Sequence, residues 1–229
     1  MKRGINWVKS SKWLVWLILA FAVICGLMLY RLGGITGGLS SGEMAVASKT
    51  LGWEELLNDP FYLPLDILRS AVFSIWPDHG QLLTRLPNAI FGAVSIMTFT
   101  WLIWLWHGTR TALLAGSLFA TAAWTLHVSR LASYEVLYLW AIPALLVLQA
   151  LLHRQGQRAI VWYGNILLLG VLLYIPGLVW LVLLQLYIQR SLLIKAWRQF
   201  SSKKRKLFSV FCTILPLPLL IYGLTKPGN

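Results

Sequence analysis

Residues 159–189 read AIVWYGNILLLGVLLYIPGLVWLVLLQLYIQ, 31 residues without one charged side chain. A helix rising 1.5 Å per residue crosses a ~30 Å hydrocarbon core in about 20 residues, so this run is too long for one ordinary span. Pro176-Gly177 sits near its middle, a pair that interrupts helices. The stretch therefore crosses a membrane once, or twice as a hairpin turning at Tyr174-Ile175-Pro176-Gly177.

The flanking charges decide between the two. With two crossings, the segments on one side are 1–12, 107–110, 153–158 and 190–206. They hold four, one, two and seven Lys or Arg, 14 of the 20 in the chain, and no Asp or Glu. All seven acidic residues (Glu43, Glu54, Glu55, Asp59, Asp66, Asp78 and Glu135) fall on the other side. One crossing would move the cationic cluster in 190–206 outside, against the positive-inside bias. The expected fold is an all-α integral membrane protein with about seven transmembrane helices. The spans are 13–30, 86–106, 111–128, 134–152, 159–175, 178–189 and 207–222, with a kink at Pro143 in the fourth. Such a chain is a single multi-pass domain of a cell membrane, a bacterial plasma membrane, with a cytoplasmic N-terminus and an external C-terminus.

Composition excludes the other broad classes. Hydrophobic residues make up 58% of the 229 and charged residues 12%, about half the charge of a soluble domain. The net charge of +13 lies in short loops, where it orients spans, so nucleic acid is not an expected partner; the bilayer is. Cys25 and Cys212 fall in opposite leaflets and cannot pair. The apolar run at 13–30 is too long for a signal-peptide core and is read as an uncleaved span. Trp7, Trp13, Trp16, Trp104, Trp106 and Trp162 fit an inner aromatic belt, and residues 201–206 an orienting loop that meets anionic lipid.

Residues 32–84 form a long external loop. Ser41 reads as a helix cap, followed by Met44, Ala47 and Leu51 at amphipathic spacing. A second amphipathic stretch places Leu65, Leu68, Val72 and Ile75-Trp76 on one side. Both suit helices lying in the outer interface. Glu43, in the first turn of the earlier helix, is kept ionised by free N–H groups and the helix dipole. It could serve as a general base, hold a divalent cation, or simply cap the helix. Arg85, just before Leu86-Pro87-Asn88, can grip a phosphate with its planar fork or anchor the span in headgroups. Arg130 and Glu135 flank the loop between the third and fourth spans, where a surface salt bridge is the plain alternative. His79 and His127 are external too, but no metal-ligand spacing supports a firm metal site. Nucleotide-binding, nucleophile-elbow and paired-cysteine motifs are absent.

The order of these blocks resembles the N-terminal module of the C-type glycosyltransferases that use lipid-phosphate-linked sugars, such as protein O-mannosyltransferases and the lipid A aminoarabinose transferase. In that family an acidic motif, often Asp-Glu followed by Ala, sits on an interfacial helix after the first span; here Ser41-Gly42-Glu43-Met44-Ala45-Val46-Ala47 occupies its place. Leu63-Pro64-Leu65 is similar to the family's Pro-Leu element. Arg85-Leu86-Pro87-Asn88-Ala89-Ile90-Phe91-Gly92 is a close match to the block that begins its second span. Val128-Ser129-Arg130-Leu131-Ala132-Ser133-Tyr134 looks like a variant of its span 3 exit, and 167–177 like its Gly-rich hairpin.

The resemblance implies transfer of a sugar from a polyprenyl phosphate to an acceptor at the outer face. Glu43 would be the catalytic residue, and Arg85 with Arg130 would hold the lipid phosphate. A divalent metal ion is the one cofactor it leaves open, with Glu43 as its ligand. Two departures matter: Gly42 stands where the first acidic residue is usual, and family enzymes usually continue past a seventh span. The alternative is a non-catalytic fragment, an accessory subunit working with a further membrane subunit, or a lipid-handling protein on the same module. A transporter is weakened by the lack of midplane charge in spans 2 to 7.

Overall fold

The computed structural model describes residues 19, 22–24, 26, 28–34, 38–48, 59–76, 80–155, 158–200 and 202–225. Among them the chain is helix and turn, without a strand. The helices are α1 (Ser41–Ser48), α2 (Leu63–Ile75), α3 (Gln81–His107), α4 (Thr109–Thr121) and α5 (Ala123–Arg130). They continue with α6 (Val136–Gln155), α7 (Ala159–Leu173), α8 (Val179–Gln199), α9 (Ser202–Ile214) and α10 (Leu217–Thr225). Among the described residues four stretches are long and apolar enough to cross a membrane: α3, α6, Val179–Arg198 of α8, and Arg205–Leu224 across α9 and α10. The bent pair α4–α5 would make a fifth, and α7 is apolar but shorter. The first expected span lies largely outside the described residues; near its end, Met28 packs on Ala89, Ala93 and Ile96 of α3 and Ala120 of α4.

The 159–189 run is indeed broken where Pro176-Gly177 interrupts it. The α7 ladder ends at Leu173, and Gly177 takes φ +81, a conformation glycine adopts without a Cβ penalty. Asn165 and Gln189, equally far from Gly177, are hydrogen-bonded at 2.9 Å, so α7 and α8 run antiparallel. The bond belongs to a buried amide chain. Gln189 Nε2 donates to Gln149 Oε1 of α6 at 2.9 Å, and Gln185 Nε2 donates to the same oxygen at 2.6 Å. Amides that bond across apolar helices hold them in register.

Several expected boundaries are corrected. The span placed at 178–189 runs on to Gln199, and the cationic segment 190–206 is mostly helix rather than loop. The span placed at 111–128 bends by 60° at Ala122, with no Pro or Gly there. Thr121 Oγ1 donates back to the carbonyls of Ser117 and Leu118, competing with the backbone ladder, which bends helices. The span placed at 207–222 falls within the candidate crossing Arg205–Leu224 and is disturbed in its later half, as Pro216 and Pro218 lead one to expect; Tyr174 Oη donates to the Leu215 carbonyl there. Trp162 leaves the expected belt: it is 1% exposed, packed with Leu152, Ile166, Phe200 and Phe208.

Helix α3 is the centre, packing on α4, α5 and α6. It approaches α5 closely because Gly92 faces Ser129: a Cβ added at Gly92 would lie 2.3 Å from the serine Cβ. Antiparallel packing sorts the loops to two ends. At one end Tyr62 N–H donates to the Tyr174 carbonyl at 2.7 Å, and Tyr138 Oη to the Pro176 carbonyl at 2.9 Å. At the other, Arg154 donates to the Leu105 carbonyl. Every described acidic residue belongs to the first end.

Candidate functional site

Helix α1 starts where the local sequence directs. Ser40, not Ser41, caps α1: Glu43 N–H donates to Ser40 Oγ at 3.2 Å, and Ser40 N–H to Glu43 Oε2 at 3.0 Å. This is the reciprocal capping box of a Ser-x-x-Glu sequence. It turns the Glu43 carboxylate back over the helix start, toward α3.

Arg85 meets it there. Helix α3 begins at Gln81, earlier than the sequence suggests, so Arg85 stands in the second helical turn. Its Nε donates to Glu43 Oε1 at 2.7 Å and its Nη2 to Oε2 at 2.9 Å, a bidentate pair across 42 residues of sequence. The remaining donors are used as well: Nη1 reaches the Leu32 carbonyl at 3.2 Å and Nη2 the Gly38 carbonyl at 2.8 Å. Gly38 presents that carbonyl from φ +75. Ala132 N–H closes the network on Glu43 Oε1 at 3.1 Å. Glu43 is 3% exposed and Arg85 1%. The hydrogen bond from Arg85 outweighs burial and holds the Glu43 carboxyl down from 4.5 to about 2.

Arg130 does not join this pair. Its Nη2 donates to the carbonyl of Tyr30, at the end of the first helical segment. Glu135 and His127 are exposed, and His79 lies outside the described residues.

A second buried cation, Arg69, stands on α2. Its Nη1 pairs with Asp66 Oδ1 at 3.1 Å, and its Nη2 donates to Asn88 Oδ1 at 3.2 Å. Its guanidinium lies 4.8 Å from the centre of the Tyr134 ring, which stacks on Tyr62 at 4.0 Å. Asn88 Nδ2 in turn donates to the Ser133 carbonyl. Sequence reasoning missed this group because it assigned the buried face of α2 to Leu65, Leu68, Val72, Ile75 and Trp76. The inward residues are Leu65, Asp66, Arg69 and Val72, while Ile75 and Trp76 are exposed. The available signal was the opposite-charge pair at i and i+3, followed by Asn88 one turn after Arg85.

Both stations act on one segment, the loop 131–134 after α5. Glu43 holds Ala132, Asn88 holds Ser133, and Arg69 with Tyr62 brackets Tyr134. Each buried charge has a hydrogen-bonded counter-charge, the condition for keeping ions out of water. The donor set does not suit a divalent ion. Both Glu43 oxygens already accept from Arg85 and backbone N–H groups, and among the described residues no three His, Cys, Asp or Glu gather.

No protein-family model, no curated protein and no solved structure matches this chain.

Proposed function

We propose that the chain handles a polyprenyl-phosphate-linked sugar at the external face of a membrane and transfers the sugar to an acceptor hydroxyl. One observation carries the reading. The acidic motif of the loop and the Arg-Leu-Pro block of α3, to which the resemblance gives the catalytic and phosphate-holding roles, share a single ion pair. The same reading has seven spans, the cation-rich end in the cytoplasm of a cell, and the Glu43–Arg85 end outside. The asymmetry between the ends supports it: 14 of 20 cations on one side, all seven carboxylates on the other.

In the arrangement described, Glu43 is closed on both oxygens. A phosphate competes well with a carboxylate for a planar guanidinium fork. Donor phosphate arriving at Arg85 displaces Glu43 and removes the interaction that depresses its pKa. The acceptor oxygen then attacks the anomeric carbon as the bond from that carbon to the phosphate oxygen breaks. The electron pair leaves on the polyprenyl phosphate, held by Arg85, and the hydroxyl proton passes to Glu43.

A second reading, a non-catalytic accessory or lipid-handling protein, draws on one feature of the pair. A carboxyl held at about 2 is a poor proton acceptor at neutral pH, and Gly42 offers no second acid.

A transfer assay with the purified chain and radiolabelled polyprenyl-phosphate sugar separates the two. Turnover in wild type that falls on the order of a hundredfold in Glu43→Gln with donor binding kept supports transfer. Arg85→Lys, which keeps the charge and loses the fork, should weaken binding and turnover together. Donor binding without turnover in wild type supports the non-catalytic reading, and no binding removes both.

A further inference from the structure

Among the described residues, the end of the bundle opposite the Glu43–Arg85 pair has cations and no carboxylate counter-charge. From residue 86 to 229 the only acidic residue is Glu135, and it lies at the other end. The segment 190–206 carries seven Lys and Arg, and the structure makes it a folded elbow. Helix α8 runs to Gln199, the chain turns at Phe200, and α9 starts at Ser202.

Four contacts fix that elbow. Arg205 folds back on the end of α8, Nε donating to the Phe200 carbonyl at 2.8 Å and Nη2 to the Arg198 carbonyl at 3.2 Å. Phe208 of α9 meets Trp197 and Phe200 edge-on, with ring centres 5.7 and 6.2 Å apart. A cation placed on this elbow is therefore preorganised, unlike one on a mobile tail.

The register of α7 against α8 sets the depth of the exposed cations. Counting equally from the Asn165–Gln189 bond, Ala159, the first residue of α7, comes level with Lys195. The apolar layer ends there. Lys195 and Arg198 stand at its boundary, both exposed. Arg190 is also exposed and sits five residues, about 7.5 Å, further in. A cation at that depth on an outward face is costly. Its guanidinium rests 4.6 Å from the centre of the Tyr187 ring, which offsets part of the cost. No carboxylate among the described residues supplies the rest. Trp197 and Ile194, both exposed on the same part of α8, add the indole and aliphatic surface that suits the headgroup level.

We propose that the α8–α9 elbow is a binding surface for anionic phospholipid headgroups, with Arg190, Lys195 and Arg198 holding the phosphates and Trp197 anchoring beside them. Charge complementarity and continuity with the apolar part of α8 select a lipid as the occupant. This site is independent of the sugar-transfer reading and stands whichever reading of Glu43 holds.

The test uses the full chain in a neutral detergent, titrated with phosphatidylglycerol, phosphatidylcholine or inorganic phosphate. Bound lipid is read by native mass spectrometry and stability by thermal midpoint. Phosphatidylglycerol should bind and raise the midpoint, with an effect that shrinks as salt rises; phosphatidylcholine should not. Combined Arg190→Gln, Lys195→Gln and Arg198→Gln should weaken phosphatidylglycerol binding on the order of a hundredfold. Arg110→Gln, an exposed cation at the same end but off the elbow, should leave it unchanged. Equal binding of the two lipids, full binding by the triple variant, or an equal midpoint rise with inorganic phosphate each overturns the proposal. If the triple variant does not fold, Lys195→Gln and Arg198→Gln alone should each weaken binding about fivefold; no change in either overturns it too.

Discussion

Arg85 and Glu43 hold each other through two hydrogen bonds of 2.7 and 2.9 Å, although 42 residues separate them. Every polar atom of the Glu43 carboxylate is shared with Arg85, and each oxygen also takes one backbone N–H, from Ala132 or Ser40. The pair is thus the fastening between the loop, the start of α3 and the loop after α5, whatever chemistry it also serves.

Removing one partner should be far worse than removing both. Arg85→Met leaves a buried carboxylate uncompensated and should cost about 3 to 5 kcal/mol. Glu43→Gln combined with Arg85→Met should cost clearly less than the sum of the single changes. The double-mutant cycle is read by unfolding in mixed micelles; strict additivity would show that the two groups do not depend on each other.

The depressed Glu43 pKa gives a pH signature. Its folded value of about 2 lies below the ordinary 4.5, so the carboxylate contributes stability that is complete above about 4.5. That contribution is lost as pH falls toward 2. Thermal midpoints measured between pH 2 and 7 should show wild type losing more than Glu43→Gln in this window. Parallel curves for the two proteins would contradict the assignment.

Contact between α3 and α5 rests on a missing side chain. Gly92→Ala places a Cβ 2.3 Å from the Ser129 Cβ and should cost about 1 to 3 kcal/mol through forced separation of the helices. Adding Ser129→Gly should recover part of that loss, although Ser129→Gly alone destabilises. A double variant no better than Gly92→Ala would show that the clash is relieved in some other way.

The amide chain in the bundle should behave as interhelical glue. Gln189→Leu breaks bonds to Asn165 and Gln149, and its coupling to Asn165→Leu should be about 0.5 to 1.5 kcal/mol. Hydrogen–deuterium exchange at the start of α7 should rise in the same variants. Unchanged exchange there would place the hairpin register elsewhere, in the Tyr174–Gly177 turn itself.

Much of the fold was legible without coordinates, for a local reason. Apolar blocks of span length, the Pro176-Gly177 break and the helix-start signal near Glu43 each act over a few residues. The hairpin turn, the existence of α1 and α2 in the loop, and most of the long helices follow from them. Even the correct cap was readable, since Ser40 and Glu43 carry the Ser-x-x-Glu spacing.

What the sequence by itself determined is therefore the kind of protein: helical, apolar over long runs, with most of the cations gathered in a few short segments free of carboxylates. Tertiary structure alone decided what its charged residues face. Glu43 is bound to Arg85 because a capping box and an early start of α3 bring two distant turns together. Asp66 and Arg69 are buried because the α2 face that packs on α3 meets Asn88, and Arg190 is exposed because α8 runs past the end of its apolar half. Each outcome depends on contacts between residues far apart in the chain, and local propensity carries no record of them.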